Sequence, residues 1–210
     1  MPPLPGDMRD EPLVLIVDDD GFIREALTYL LRSVGIDCLG FASTKELFEA
    51  DIPDRVGCML LDVRLPGVSG LELQAHLNSL GWSMPVIFMT GHGDIPMSVR
   101  AMKAGAVDFL SKPFRDQDML EAVNTAIGAD RTRRLSNAET AGLAALAETL
   151  TPREREVMQE VAKGMMNKQI AAHLGISEVT VKLHRGNLMR KMQARTLAEL
   201  LQKTERLRRA

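Results

Sequence analysis

The chain has 210 residues, 45% of them hydrophobic, which suffices for the cores of one large domain or two modest ones. Its apolar runs fall short of the roughly 18 residues that a membrane span needs. The opening residues lack the basic segment and apolar core of a signal peptide. We therefore expect a cytoplasmic protein that does not associate with membranes.

The formal net charge of −2 conceals an asymmetry along the chain. Residues 151–210 hold 13 basic and 6 acidic side chains, whereas the remainder holds 13 basic and 22 acidic ones. An acidic front part and a basic rear part predict two domains with different partners. On charge alone, the basic part is compatible with nucleic-acid binding and equally with a solvated basic surface.

Short β-type runs alternate with helical periodicity after a predicted flexible tail over residues 1–12. The five predicted strands read LVLIV, IDCLGFA, VGCMLLD, PVIFMT and AVDFLS. A helical pattern follows each strand; the second helix opens with a capping box of Ser43 and Glu46, and the last two helices are predicted over 96–104 and 116–126. Five such alternations predict a doubly wound α/β domain with a parallel sheet over 13–127.

Charged and polar residues follow four of these strands. They are Asp18 and Asp19 after the first strand, Asp62 at the end of the third, Thr90 at the end of the fourth and Lys112 after the fifth. The carboxyl ends of parallel strands share one edge of a sheet, and sites in such folds lie there. Clustered carboxylates are stabilised by a hard divalent cation, and Mg²⁺ takes a few carboxylates with water or phosphate at its remaining positions. The sequence therefore predicts a site for Mg²⁺, or for Mn²⁺ in its place.

Residues 128–150 contain no β signal and are predicted to form a linker. Leu143, Leu146 and Leu150 have the spacing of a helix that packs on a neighbour, but two glycines and mixed polarity are equally compatible with a flexible tether. The linker is thus either partly helical or flexible.

The pattern is wholly helical from Thr151 onward. The segment TPRE places Thr151 at an N-cap, Pro at the first helical position and Glu at the third. A second short helix ends at Gly175, Ser177 caps a third helix over about 178–192, and TLAELLQKT forms a fourth. Two helices joined by a tight glycine-containing turn, the second of them basic, predict a helix-turn-helix.

The motifs VDDD, LLDVRLPGVSG, FMTGHGD and DFLSKPF resemble the receiver domain of two-component response regulators. The resemblance implies that Asp62 accepts a phosphoryl group from the phosphohistidine of a sensor histidine kinase. It implies that Asp18, Asp19, Asp62 and the backbone carbonyl of Arg64 bind Mg²⁺. It also implies that Lys112 contacts a phosphoryl oxygen and that the hydroxyl of Thr90 turns towards the phosphoryl group.

The same resemblance implies a conformational switch. Phe109 matches the aromatic residue whose burial accompanies the movement of Thr90, and the response reshapes a face over about 95–111 through which similar receivers dimerise. Asp20 is expected to tune the site locally or to be solvated. Arg64 and Gly91 occupy positions that affect the phosphate lifetime. The protein is expected to lose the phosphoryl group slowly by autodephosphorylation, and it is not expected to be a classified enzyme.

The segment from about 150 to 205 resembles the LuxR-type four-helix module of the NarL and FixJ subfamily. Helical spacing puts Val181, His184, Leu188 and Met192 on one face, which is predicted to pack in the core. By resemblance, Lys182 and Leu183 meet base edges, the lysine donating to guanine and the leucine touching a thymine methyl group. Gly186 stands where relatives often carry a longer residue, so sequence readout there is expected to be weaker or less direct. Candidate phosphate contacts are Ser177, Thr180, Arg185, Lys168 and Arg195.

The leading hypothesis is a transcription-regulating response regulator that binds double-stranded DNA. Without phosphate, the receiver is expected to mask the DNA module or to keep it monomeric; phosphorylation of Asp62 favours a homodimer on inverted half-sites, and RNA polymerase is a further expected partner. One rival is a DNA-binding protein indifferent to phosphate, which an Asp62→Asn variant would distinguish. The other is a phosphotransfer intermediate, which a failure to select any duplex would favour.

Overall fold

The computed structural model describes residues 11–91 and 95–209. Contacts divide the chain into two units at Arg134 and Leu135. The predicted tail up to residue 10 and positions 92–94 of the FMTGHGD motif lie outside the described residues.

The first unit contains a five-stranded parallel sheet in the order β2-β1-β3-β4-β5. This arrangement confirms the predicted doubly wound α/β fold. The strands are β1 (Leu13–Val17), β2 (Asp37–Phe41), β3 (Gly57–Asp62), β4 (Val86–Thr90) and β5 (Asp108–Ser111), and the helices are α1 (Gly21–Ser33), α2 (Thr44–Glu49), α3 (Gly70–Ser79), α4 (Ile95–Lys103) and α5 (Asp116–Glu148).

Helices cover both faces of the sheet, which explains why β1, β3 and β4 are continuous apolar runs. On one face, Leu31 of α1 and Met119 of α5 pack in a single core. On the other face, Leu47 of α2 and Leu73 of α3 pack in a second core. Burying each such side chain stabilises the fold by about 1.5–3 kcal/mol.

The second helix is capped differently from the prediction. The Ser43 side chain accepts a hydrogen bond from the backbone N–H of Glu46 at 3.2 Å, as expected. The Glu46 carboxylate, however, accepts from the N–H of Ala42 at 2.7 Å, one residue before the cap. The predicted reciprocal capping box is therefore wrong here, because the carboxylate reaches one position further back.

The helix predicted over 116–126 is much longer and continues to Glu148 as α5. It includes Gly128 and Gly142, and it crosses the boundary between the two units. The segment predicted as a linker is thus mostly helical. Within the second unit, Leu150 is buried in the core and Leu146 packs against it.

The second unit contains four helices after α5, namely α6 (Pro152–Ala162), α7 (Asn167–Leu174), α8 (Glu178–Lys191) and α9 (Leu197–Arg209). The capping box of Thr151 and Glu154 is complete, and Gly175 ends α7 at φ +66°, a left-handed conformation that favours glycine. Val157, Ile170, Val181 and Leu188 are fully buried in a shared core. Across the described residues, none of the helices is both long and apolar enough to cross a membrane.

Candidate functional sites

Three carboxylates meet at the carboxyl edge of the sheet. Asp18 follows β1 and Asp62 ends β3, and these two strands are hydrogen-bonded neighbours. Each of Asp18, Asp19 and Asp62 offers an oxygen atom within 4.8 Å of those of the other two. Asp18 and Asp62 are buried, whereas Asp19 is exposed. The edge thus presents an oxygen-rich ligand set, open on one side, of the kind that suits Mg²⁺.

Lys112, the residue after β5, reaches into this cluster. Its Nζ donates a hydrogen bond to Oδ2 of Asp18 at 2.5 Å and lies 3.3 Å from Oδ2 of Asp62. The ammonium group compensates part of the negative charge that the strand ends bring together. A group added to Asp62 would therefore lie next to a cation.

Asp62 is held by backbone as well as by charge. Its Oδ1 accepts a hydrogen bond from the N–H of Arg64 at 3.3 Å. Gly70, the first residue of α3, passes so close that a Cβ there would lie 2.4 Å from the Asp62 carbonyl oxygen, so only glycine fits. Burial raises the pKa of Asp62, and the negative charge of Asp18 raises that pKa further. Lys112 and the Arg64 N–H partly offset these two effects.

Thr90 and Phe109 flank the cluster on the next two strands. Thr90 is fully buried at the end of β4, and its carbonyl oxygen accepts from the N–H of Lys112 at 2.7 Å. Phe109 in β5 is half-buried, with its ring centroid 6.5 Å from that of Phe88. The ring thus lies between core and solvent, beside the strand that ends at Thr90.

Asp20 has a role distinct from its two neighbours. Its side chain caps α1 by accepting from the N–H of Phe22 at 2.9 Å, while its own N–H donates to Oδ1 of Asp18 at 3.0 Å. Three consecutive carboxylates are therefore tolerated because two face the cluster and the third begins the helix.

A second candidate site lies on α8 in the other unit. Val181, Leu188 and Met192 are fully buried, as their spacing predicts, and His184 is half-buried. Lys182, Leu183 and Gly186 are exposed on the opposite side. This side of α8 thus does not pack in the core and is accessible, as a helix that enters a DNA groove requires.

The candidate phosphate contacts around α8 differ in their surroundings. Lys168 and Arg195 are exposed. Ser177 caps α8 by accepting from the N–H of Thr180 at 3.1 Å, and the two hydroxyl oxygens lie 2.8 Å apart. Arg185 is half-buried, with Nη1 donating to the side-chain oxygen of Asn167 at 2.8 Å.

Two residues of this surface were not predicted from the sequence. Asn167, the first residue of α7, holds Arg185 across a separation of 18 residues, a distance over which no local pattern operates. Val179 is 75% exposed on α8. Its position four residues before Leu183 places the two on one helix face and could have identified it.

Two known families match successive parts of the chain. Residues 14–124 match the family described as response regulator receiver domain, and residues 148–204 match that of bacterial regulatory proteins, luxR family. The chain belongs to the two-component response regulators, with a receiver domain followed by a LuxR-type DNA-binding domain.

Several relatives are similar to this chain over most of both sequences. Nodulation protein W of Bradyrhizobium diazoefficiens is 54% identical, over 93% of this chain and 86% of that protein. The transcriptional regulatory protein FixJ of Azorhizobium caulinodans is 43% identical, over 90% of this chain and 89% of that protein. A low-resolution structure of the response regulator StyR is similar with a TM-score of 0.80 and 46% identity, covering 93% of this chain and 98% of that one.

Proposed function

We propose that Asp62 accepts a phosphoryl group from a sensor histidine kinase. Lys112 supports this role because its ammonium group lies against both Asp18 and Asp62, among three clustered carboxylates. Phosphoryl transfer depends mainly on positioning and on neutralising charge. Asp62 serves as the nucleophile, and Lys112 contacts an oxygen of the transferred group.

Mg²⁺ is the cofactor that this ligand set fits, with Mn²⁺ as a substitute. Asp18, Asp19, Asp62 and the backbone carbonyl of Arg64 would hold the ion, which neutralises charge on the phosphoryl oxygens when bound. The exposure of Asp19 leaves one side of the cluster accessible to water and to the phosphodonor.

Phosphorylation is proposed to act through Thr90 and Phe109. The added charge draws the Thr90 hydroxyl inward and the Phe109 ring follows, which reshapes the face formed by α4 and β5. The chain then dimerises through this face and binds inverted DNA half-sites in the cytoplasm, where RNA polymerase is a further partner. Slow loss of the phosphoryl group from Asp62 resets the switch.

Base contacts are proposed for Lys182 and Leu183, with Gly186 contributing less. Phosphate contacts are proposed for Ser177, Thr180, Arg185, Lys168 and Arg195. Phosphate contacts fix the position of a protein on the duplex, whereas base contacts select the sequence.

Mass spectrometry after incubation with Mg²⁺ and an acyl phosphate tests the acceptor. We expect one phosphoryl group, localised to Asp62 by borohydride reduction of the aspartyl phosphate. The Asp62→Asn variant should not be modified, whereas Asp20→Asn should be, because Asn is also a good helix cap. Modification of Asp62→Asn to the wild-type extent would contradict the assignment.

A further inference from the structure

The exposed side of α8 carries two large apolar side chains. Val179 is 75% and Leu183 is 63% exposed, and residues four apart lie on the same side of a helix. We call the surface formed by Val179, Lys182, Leu183 and Gly186 the outward face of α8. A single exposed apolar residue is ordinary, whereas two on one side of the helix proposed to contact DNA form a small apolar surface that such contact would bury.

The polar side chains beside this face make hydrogen bonds within the protein, and one position of the face has no side chain. Arg185 donates to Asn167, and the Thr180 hydroxyl lies against that of Ser177. Gly186 has no side chain, and beyond its chain neighbours and the backbone of its own helix no described atom lies within 4 Å of the position that its Cβ would take. Within the outward face, Lys182 supplies the hydrogen-bonding side chain, and Val179 and Leu183 supply the apolar surface.

Apolar side chains read a specific feature of the major groove. The C5-methyl group of thymine is the apolar group exposed there, and aliphatic side chains distinguish it by contact. A helix rises about 1.5 Å per residue, so Val179 and Leu183 are separated by about 6 Å along the axis. With base pairs about 3.4 Å apart, this separation corresponds to about two base-pair steps.

We infer that Val179 and Leu183 together select thymine methyl groups at two positions about two base pairs apart in each half-site. Val179 is thus a specificity-determining residue in addition to Lys182 and Leu183. The inference rests on the proposed DNA-binding role of α8. Lys182 then supplies one hydrogen-bonded contact between two methyl contacts.

Deoxyuridine substitution tests this inference, since it removes the methyl group and keeps the pairing edge. A duplex is first selected from random sequence with the full chain, Mg²⁺ and beryllofluoride. Each thymine of one half-site is then replaced in turn. We expect Kd to rise about fourfold at each of two positions, the factor for one methyl-sized contact.

The variants assign each position to a side chain. Leu183→Ala should bind the duplex more weakly, and its Kd should no longer change when deoxyuridine replaces thymine at one of the two positions. Val179→Ala should show the same behaviour at the other position. Leu135→Ala is the control, because Leu135 is a 67% exposed leucine outside α8. This control should keep both sensitivities.

Three outcomes would overturn the inference. They are a tightly bound site that lacks thymine, a site at which no deoxyuridine changes Kd, and sensitivities that survive in both alanine variants. In each of these cases DNA binding itself is observed, so the proposed function stands. Failure to select any duplex would instead overturn the DNA-binding role and the inference with it.

Discussion

The ammonium group of Lys112 donates to the Asp18 carboxylate at 2.5 Å, although the two residues are 94 positions apart in the chain. Asp62 lies on the other side of the same ammonium group at 3.3 Å. One cation therefore joins the ends of β1, β3 and β5 at the place where a phosphoryl group would be accepted. The contribution of this ammonium group to binding of a phosphoryl analogue can be measured.

Removal of the Lys112 charge should weaken binding of beryllofluoride, which stands in for the phosphoryl group. A hydrogen bond between charged groups contributes about 1.5–3 kcal/mol, so Lys112→Met should lose at least about tenfold in affinity. Titration calorimetry in Mg²⁺ measures this loss. Lys45→Met, which removes an exposed lysine paired with Glu49, is the control; an equal loss in both variants would argue against a direct contact.

Magnesium binding should stabilise the receiver through Asp19. A ligand that binds only the folded state raises Tm as its concentration increases. We expect millimolar Mg²⁺ to raise the Tm of the wild type and of Asp20→Asn, and to raise that of Asp19→Asn much less. Asp19 is exposed, so its substitution should not disturb the fold. An equal Mg²⁺ response in all three proteins would exclude Asp19 as a ligand.

Asp130 should stabilise the receiver from the opposite edge of the sheet. This fully buried carboxylate accepts from the N–H of Gly57 at 3.0 Å and from Arg134 at 2.7 Å, and it is also paired with Arg133. Loss of one partner from a buried charged network costs about 3 kcal/mol. We expect Asp130→Ala to lower the free energy of unfolding by that amount, as measured by urea denaturation.

The exposed partner of Arg134 provides the control for that measurement. Asp54 pairs with Arg134 at 2.7 Å, but its side chain is 90% exposed. Asp54→Ala should therefore cost less than about 1 kcal/mol. Equal losses in the two variants would contradict the importance of burial.

The contribution of Asp130 should depend on pH. Burial alone raises the pKa of Asp130, but its bonds with Arg133, Arg134 and the Gly57 N–H outweigh burial and lower it overall. Because the pKa is lower in the folded state, the stabilisation is present above the unfolded pKa and is lost as pH falls through the folded value. The difference between wild type and Asp130→Ala should thus be constant near neutrality and shrink below about pH 4. A constant difference down to acidic pH would contradict a charged Asp130.

Arg185 should contribute to DNA affinity without selecting sequence. If it contacts a phosphate, Arg185→Ala should weaken specific and non-specific duplexes by similar factors and reduce the slope of log Kd against log salt by about 1. Asn167→Ala should act in the same direction through loss of the 2.8 Å bond that holds Arg185. Arg153→Ala, at an exposed arginine paired with Glu156, is the control. A change in preferred sequence would instead assign Arg185 to base readout.

The carboxylate cluster was predictable because the topology of a parallel sheet brings strand ends together wherever they fall in the sequence. Asp18, Asp62 and Lys112 each follow a recognisable apolar run, so the sequence predicts that all three lie at the carboxyl edge of the sheet. The role of Asp130 was not predictable, because its partner Gly57 lies 73 residues away and neither residue marks the contact locally.

The length of α5 was underestimated for a related reason. Gly128, Gly142 and mixed polarity weaken the helical pattern after residue 127. The contacts that stabilise the helix there are tertiary, with Asp130 on the receiver side and Leu143 buried further along. Local sequence does not contain those contacts.

Light-scattering mass in the presence of Mg²⁺, before and after addition of beryllofluoride, measures whether the Asp62 site controls dimerisation. We expect the mass of the wild type to double on addition, because occupancy of the Asp62 site favours the dimer, and the mass of Asp62→Asn to stay unchanged. An unchanged mass in the wild type, or a doubling in both proteins, would contradict control of dimerisation by Asp62.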